Sequence, residues 1–180
     1  LTLVVTYDEG KLTKIVTRGN GHIGTNITHL APAIKGVLPT ISEKGHLVIR
    51  GEAVISYADF ERFLIETEGD YANPRNLASG SLTLKDVDEV KQRRIQWIPF
   101  TLVYTEKDIN SWGERMQFLD EMGFQTVERV DIQQPTTDNI QADIDAFTLK
   151  VTQNVNPFPV DGLVITYDDT QFASTGSVTG

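Results

Sequence analysis

The sequence predicts an α+β domain whose sheets are mainly antiparallel and whose helices lie beside them. Segments rich in β-branched residues are separated by short turns, as in hairpins. The helical patterns between them do not alternate regularly with single strands, which argues against βαβ units and a parallel sheet. With 180 residues, 39% of them hydrophobic and 23% charged, the chain is long enough for one domain with its own core. It contains no internal repeat.

The first third of the chain reads as three strands. Leu1–Tyr7 alternates apolar and polar residues, Asp8–Lys11 has the composition of a tight turn, and Leu12–Arg18 continues as the second strand. Leu47–Ile55 has the same strand character. The region therefore begins with a hairpin, and a third strand follows after a long connection.

The middle of the chain mixes helices with one strand. Apolar residues at helical spacing predict a helix over Tyr57–Glu68, and shorter helices are expected over Asn76–Ser81 and Val87–Arg93. Ile95–Tyr104 is a predicted strand. Its Pro99 cannot donate to a strand ladder, so this strand should lie at an edge or contain a bulge.

The last third contains two further helices and a final strand. Ser111 has a glutamate three residues later, the capping-box pattern, so a helix should run from it through Met122 and end at Gly123. The segment Asn139–Gln153 is amphipathic at helical spacing. The apolar run Val160–Tyr167 predicts a buried strand.

Composition limits the classes of function. The absence of cysteine excludes disulfides, thiolate zinc sites and cysteine nucleophiles. No run is apolar enough to span a membrane, and the first residues resemble a strand more than a signal peptide, so a cytoplasmic protein is expected. The net charge of −9 argues against this segment alone gripping a DNA backbone, although a larger protein can supply that grip. Both ends read as the ends of a fragment; the alternative is a natural start after processing.

Two motifs in the first third combine glycine with charge. The segment Thr17–Thr28 carries Arg18 and closely spaced glycines, which suit either close approach to a ligand or a glycine-rich exit from a hairpin. The segment Val48–Val54 places Arg50 and Glu52 inside an apolar strand, where charges are costly unless they are satisfied or used. A surface ion pair between these two side chains is the alternative.

Two further motifs follow. In Tyr71–Leu82, proline fixes the backbone just before Arg75, a residue able to hold phosphate with two hydrogen bonds; a rigid connection before a helix is the alternative. Pro157–Thr166 contains Asp161 and Gly162, which also suit a buried strand that ends in a turn.

These four segments, in this order, resemble the signature motifs of bacterial NAD-dependent DNA ligases. The Asn-Pro-Arg-Asn stretch and the following Gly-Ser-Leu resemble the family's PRN…GSL signature. Arg-Gly-Asn-Gly, Arg-Gly-Glu and Asp-Gly-Leu-Val-Ile resemble its TRGDG, RGE and DGVVIK motifs. The resemblance covers nearly the whole chain.

The resemblance implies roles for individual residues. Arg18 is expected to contact the bound nucleotide, and Glu52 to accept hydrogen bonds from the ribose hydroxyls of the adenylate. Arg75 is expected to contact phosphate of NAD or of DNA. Phe100 falls where the family places a ring against adenine, although a strand aromatic is more often plain core.

The same resemblance assigns catalytic positions near the end of the chain. Asp161, Gly162 and Glu52 are the expected catalytic residues, and Thr166 occupies the nucleotide-binding position where the family has lysine. Thr83 and Gln153 stand at or near positions where the family usually has arginine. No residue of this chain is assigned to a metal.

The resemblance also implies a fold and an activity. The fold would be that of DNA ligase and mRNA capping enzyme nucleotidyltransferases, an ATP-grasp-like fold, with residues 1–180 as an adenylation-domain fragment. It would lack the upstream K-x-D-G lysine motif and the final lysine-bearing strand. NAD⁺ and Mg²⁺ would be the cofactors and nicked duplex DNA the partner of a full-length, monomeric protein. A degenerate nucleotide- or partner-binding paralogue and an ATP-dependent polynucleotide ligase are the alternatives.

Overall fold

A computed structural model describes residues 1–18, 24–67, 71–152, 157–159 and 163–170. The order of elements is β1 (Thr2–Asp8), β2 (Lys11–Arg18), a 3₁₀ helix (Thr28–Ala33), β3 (Leu47–Val54), α1 (Tyr57–Thr67), α2 (Pro74–Ser81), α3 (Val87–Lys91), β4 (Gln96–Tyr104), α4 (Trp112–Glu121) and α5 (Thr137–Thr152). Within these ranges, no helix combines the length and the apolar character needed to cross a membrane.

The strands form one four-stranded antiparallel sheet in the order β2-β1-β3-β4. The hairpin β1–β2 and the mixture of helices with an antiparallel sheet were both predicted from the sequence. The prediction for Pro99 is also confirmed, because β4 lies at an edge and its pairing register shifts at this point. Gly51 pairs with Pro99 and Arg50 with Thr101, so Phe100 is the extra residue of a bulge.

The two faces of the sheet differ. Alternate residues of β3, among them Ile49 and Ala53, are buried in the core with Leu3, Ile15 and Trp97. The 3₁₀ helix contacts β2 and α3, α2 contacts β3, and α4 contacts β4. The intervening residues of β3 are only half-buried. This second face of the sheet, called the open face below, carries the candidate site.

Local capping sets the helix ends. Asn73 accepts a hydrogen bond from the Asn76 backbone N–H at 2.9 Å, so α2 begins at Pro74, two residues earlier than predicted. The helix α3 ends at Lys91, whereas the sequence predicted Arg93. Residues 92–94 form a turn, in which Arg94 adopts a positive φ of 52°.

The prediction of a buried strand over Val160–Tyr167 is wrong for its described part, residues 163–167. These residues form no strand, and Val164 is 92% exposed. A strand needs a neighbour to pair its backbone groups, and no described strand pairs with this segment. Asp161 and Gly162 lie outside the described residues.

Asp168, which follows this segment, contacts the start of α4. Its carbonyl accepts from the Trp112 N–H at 2.7 Å, and its carboxylate accepts from the Gly113 N–H at 2.8 Å. These are two of the unpaired N–H groups at the start of α4, where a negative charge is favourable. The segment is therefore anchored to α4 and not to the sheet.

Candidate functional site

The pairing register places three charged side chains on the open face. Thr2 of β1 lies opposite Arg18 of β2 on one side and opposite Glu52 of β3 on the other. Val4, two residues along β1, lies opposite Arg50. Directly opposed residues in an antiparallel sheet point to the same face, as do residues two apart in one strand. Arg18, Arg50 and Glu52 therefore share the open face.

Glu52 lies opposite Thr2 at the start of β1. One of its carboxylate oxygens accepts from the Thr2 hydroxyl at 3.1 Å. The Glu52 side chain remains 43% exposed, so it can accept further hydrogen bonds. The alternative of an Arg50–Glu52 ion pair is not supported, since no such pair occurs among the described residues.

Arg50 is a residue whose importance the sequence interpretation missed. Its Nε atom is buried and has no hydrogen-bond partner in the structure described here. Burial lowers the pKa of its guanidinium below the ordinary value, and the nearby positive charge of Arg18 lowers it further. The available signal was a charged residue in the middle of an alternating strand.

A recess of about 420 Å³ lies beside Arg18. Its described lining is basic, hydroxyl-bearing or aliphatic and includes no aspartate or glutamate: Val4, Thr6, Lys14, Val16, Thr17, Arg18, Gly24, His46 and Val48. The chain as a whole has 25 acidic residues against 16 lysines and arginines. The recess is thus locally positive on an acidic domain, which favours an anionic ligand.

The glycine motif after β2 has a structural role in its described part. The chain returns along β2, with the Thr17 N–H bonded to the Thr25 carbonyl at 2.9 Å. A Cβ atom on Gly24 would lie 1.5 Å from the Thr17 carbonyl oxygen, so only glycine fits there. Asn26 accepts from the Thr28 N–H at 3.0 Å and so supports the following helix. Residues 19–23 of this motif lie outside the described residues.

Arg75 lies in the first turn of α2. Pro74, Leu77 and Ala78 are buried and fix the helix, whereas Arg75 is on its exposed side. The helix α2 contacts β3, the strand that carries Glu52. The Thr83 hydroxyl donates to the Gly80 carbonyl at 2.7 Å.

A second arginine clamps this helix to its neighbours. The Arg93 guanidinium donates to the Tyr71 hydroxyl at 3.2 Å and to the Ser81 hydroxyl at 3.3 Å. It also pairs with Glu89 at 3.6 Å and lies over the Phe63 ring, 5.2 Å from its centroid. Sequence reasoning missed Arg93, because its hydrogen-bond partners Tyr71 and Ser81 are 22 and 12 residues away.

Phe100 and Thr166 are less closely tied to the open face. Phe100 is a half-buried bulge residue whose carbonyl accepts from the Trp112 indole N–H at 3.1 Å. Thr166 lies in the exposed segment 163–167. The structure thus brings Arg18 and Glu52 together in one cross-strand row and sets Arg75 on the helix that contacts the same strand.

Comparison with known proteins decides the family. The family model of the NAD-dependent DNA ligase adenylation domain matches residues 1–178. The chain belongs to this family. Curated relatives of this adenylation domain include the DNA ligase of Ruminiclostridium cellulolyticum, 36% identical over 181 residues that cover 97% of this chain. The DNA ligases of Lachnoclostridium phytofermentans and Brachyspira hyodysenteriae are 35% and 36% identical over 97% and 94% of this chain.

The adenylation domain spans only part of these relatives. The match covers 27% of the Ruminiclostridium and Lachnoclostridium proteins and 26% of the Brachyspira protein. The recognition of the family from its four motifs is confirmed.

Proposed function

We propose that this chain is the part of a DNA ligase that takes AMP from NAD⁺ onto a lysine and passes it to nicked DNA. Residues 1–180 would be an adenylation-domain fragment with the nucleotidyltransferase fold of ligases and capping enzymes. The protein that contains it would be a cytoplasmic monomer that seals nicks in duplex DNA during replication and repair. The support is the family match together with the charged residues on the open face.

The observation that carries the proposal is the register of β1 and β3, which sets Thr2 opposite Glu52. The Leu1 carbonyl accepts from the Ala53 N–H at 2.9 Å, so the chain before Thr2 continues along β3. Any residues that precede Leu1 in a longer protein would therefore arrive beside Glu52. By resemblance, those residues carry the K-x-D-G lysine, so the nucleophile would reach the nucleotide that Glu52 holds.

Different side chains bind different parts of the nucleotide. Glu52 accepts from the ribose hydroxyls, for which a carboxylate with two acceptor oxygens is suited. Arg18, on the rim of the recess, and Arg75, on α2, hold phosphate oxygens. Phe100 packs against adenine, and Thr166 takes the place of the lysine that contacts the α-phosphate. Asp161 and Gly162 complete the catalytic set by resemblance alone.

Each step of the AMP transfer forms one bond and breaks one bond. The lysine nitrogen forms a bond to the α-phosphorus of NAD⁺ and loses a proton, while the bond from that phosphorus to nicotinamide mononucleotide breaks. The DNA 5′-phosphate then takes AMP from the lysine, and the 3′-hydroxyl displaces AMP. Arginines that bind phosphate oxygens stabilise the charge that develops in each step.

Mg²⁺ is proposed to accompany the phosphates of NAD⁺, since this ion keeps most of its waters and binds phosphate oxygens readily. The residues that the structure describes contain no group of three or more acidic or histidine side chains fit to hold a metal. No step of the reaction is therefore assigned to a metal ion bound by these side chains.

Nick sealing tests the proposal. The parent protein, with the residues that precede Leu1 restored, is incubated with a 5′-phosphorylated nicked duplex, Mg²⁺ and either NAD⁺ or ATP. Sealing with NAD⁺ alone is expected. Sealing with ATP alone would identify an ATP-dependent ligase. No sealing with either nucleotide would favour the degenerate paralogue. The presence of Thr83, Gln153 and Thr166 at or near positions where the family has basic residues is the argument for that alternative.

A further inference from the structure

The bulge in β4 places an aromatic ring on the open face of the sheet. Pro99 is buried and lies opposite Gly51, so alternation along the strand places Phe100 on the other face. Thr101, which lies opposite Arg50, is on that face as well, because directly opposed residues share a face. Two consecutive residues of β4 therefore lie on the open face, which happens at a bulge and not in a regular strand.

The burial of Phe100 agrees with this placement. Its side chain is half-buried, but it is not among the half-buried apolar residues of the described chain that pack against the core, which include Trp112 and Val127. Ile98, two positions earlier in β4 and opposite Glu52, is half-buried in the same way. The Phe100 ring therefore shares a face with the charged residues of the candidate site.

Two donors from outside the sheet hold the backbone of the bulge. The Phe100 carbonyl accepts from the Trp112 indole N–H at 3.1 Å, and the Pro99 carbonyl accepts from the Val127 N–H at 2.9 Å. Consecutive carbonyls of a regular strand point to opposite sides, whereas these two both accept from groups that are not in β3. Of the two donors, only the Trp112 indole belongs to a side chain, so it can be removed by a conservative substitution.

We propose that Trp112 is a positioning residue, which fixes the β4 bulge through the Phe100 carbonyl and so sets the Phe100 ring against the adenine of the bound nucleotide. The identity of the ligand rests on the proposed function. A flat apolar ring on the face that carries Arg18 and Glu52 suits a nucleobase, because aromatic rings stack on one another in an offset arrangement. Trp112 acts through Phe100 and does not touch the nucleotide.

The first test is kinetic and uses the parent protein. Trp112→Phe keeps an aromatic ring against the core but removes the indole N–H. It should raise the KM for NAD⁺ in adenylation about two- to tenfold, the contribution of one aromatic stack to affinity. The kcat should change much less, because no reacting atom is touched. Phe100→Leu, which removes the ring itself, should raise the KM by at least as much.

The double variant separates positioning from a general loss of stability. If Trp112 acts through the Phe100 ring, Trp112→Phe adds nothing to the effect of Phe100→Leu, whereas independent effects multiply. The matched control is Arg115→Gln, since the Arg115 guanidinium donates from α4 to the Leu102 carbonyl of β4 at 2.8 Å, beyond the bulge. This control should melt at a lower temperature and keep the native KM. An unchanged KM in Trp112→Phe, or multiplied effects in the double variant, would overturn the proposal.

The second test does not depend on catalysis. In the 180-residue chain, nuclear Overhauser contacts between the Phe100 ring and the Ile98 side chain report by NMR that the ring lies on the open face. Trp112→Phe should weaken these contacts, and Arg115→Gln should leave them unchanged. Contacts of native strength in Trp112→Phe would contradict the positioning. Weakened contacts in a protein that takes no AMP from NAD⁺ or ATP would refute the proposed function, while the control of the ring by Trp112 would stand.

Discussion

The indole ring of Trp97 lies directly against Gly51, the glycine between Arg50 and Glu52. A Cβ atom on Gly51 would come within 2.4 Å of the Trp97 Nε1 atom and 2.7 Å of the Ile98 carbonyl oxygen. The same indole N–H donates to the Leu3 carbonyl at 3.3 Å and is fully buried. The glycine of the Arg-Gly-Glu motif therefore packs in the core, whereas Arg50 and Glu52 lie on the open face.

Gly51→Ala should destabilise the domain. The added methyl group forces Trp97 or the β4 backbone to move, and overpacking of this kind costs about 1–3 kcal/mol. Chemical denaturation measures the change in the free energy of unfolding. The control is Gly80→Ala in α2, where the nearest atom would be 3.8 Å away, so a gain of up to about 1 kcal/mol is expected from helix propensity. Equal stability of Gly51→Ala and the native chain would contradict the packing.

Glu52→Ala should reduce adenylation of the parent protein without unfolding the domain. The substitution removes a half-exposed carboxylate, which is proposed to bind the ribose, and little core volume. Loss of hydrogen bonds to a charged acceptor, worth about 1.5–3 kcal/mol, lowers kcat/KM for NAD⁺ roughly ten- to a hundredfold. Glu61→Ala, at an exposed position on α1, is the matched control and should leave the rate unchanged. A native rate in Glu52→Ala would remove Glu52 from the site.

Arg93→Ala should loosen the helix that carries Arg75. The Arg93 side chain is only 11% exposed and joins Tyr71, Ser81 and Glu89. Removing one partner from such a buried network is expected to cost about 2–4 kcal/mol. Hydrogen exchange should accelerate over Pro74–Ser81.

The comparison variant for this clamp is Arg62→Ala. Arg62 is 57% exposed, and exposed ion pairs contribute at most about 1 kcal/mol. A similar loss of stability in both variants would show that Arg93 has no special structural role.

Acid should weaken the contact between Asp120 and the segment that follows α4. Burial opposes ionisation of Asp120, but hydrogen bonds from Thr126 and Arg129 outweigh it and hold the pKa of this carboxyl below its ordinary 3.8. Because the folded-state pKa is the lower one, the stabilisation is present above pH 3.8 and is lost as the pH falls through the folded-state pKa.

Asp120→Asn tests this pH dependence. The difference in unfolding free energy between the native chain and the variant should be largest near neutral pH and should shrink below pH 3.8. A difference that stays constant from neutral to acidic pH would show that the Asp120 carboxylate is not specifically stabilised in the folded state.

Local patterns predicted most of the fold, because the signals were local. The hairpin β1–β2, the Ser111 cap and the edge position of β4 each follow from residues close together in sequence. The segment 163–167 was misjudged because an apolar run becomes a strand only when another strand pairs with it. That partner is a tertiary feature and cannot be read from the run itself.

The candidate site was predicted by motif but not by geometry. The motifs indicated Arg18, Glu52 and Arg75, and the register shows how the first two share a row. The Arg93 clamp depends on contacts between distant elements, so no local spacing could have revealed it.

The most direct test of NAD-dependent adenylation is the intact mass of the parent protein after incubation with NAD⁺ or with ATP, each with Mg²⁺. A gain of one AMP from NAD⁺, on a lysine upstream of Leu1, and no gain from ATP are expected. No gain from NAD⁺, with or without a gain from ATP, would contradict the assignment of this domain to NAD-dependent lysyl adenylation.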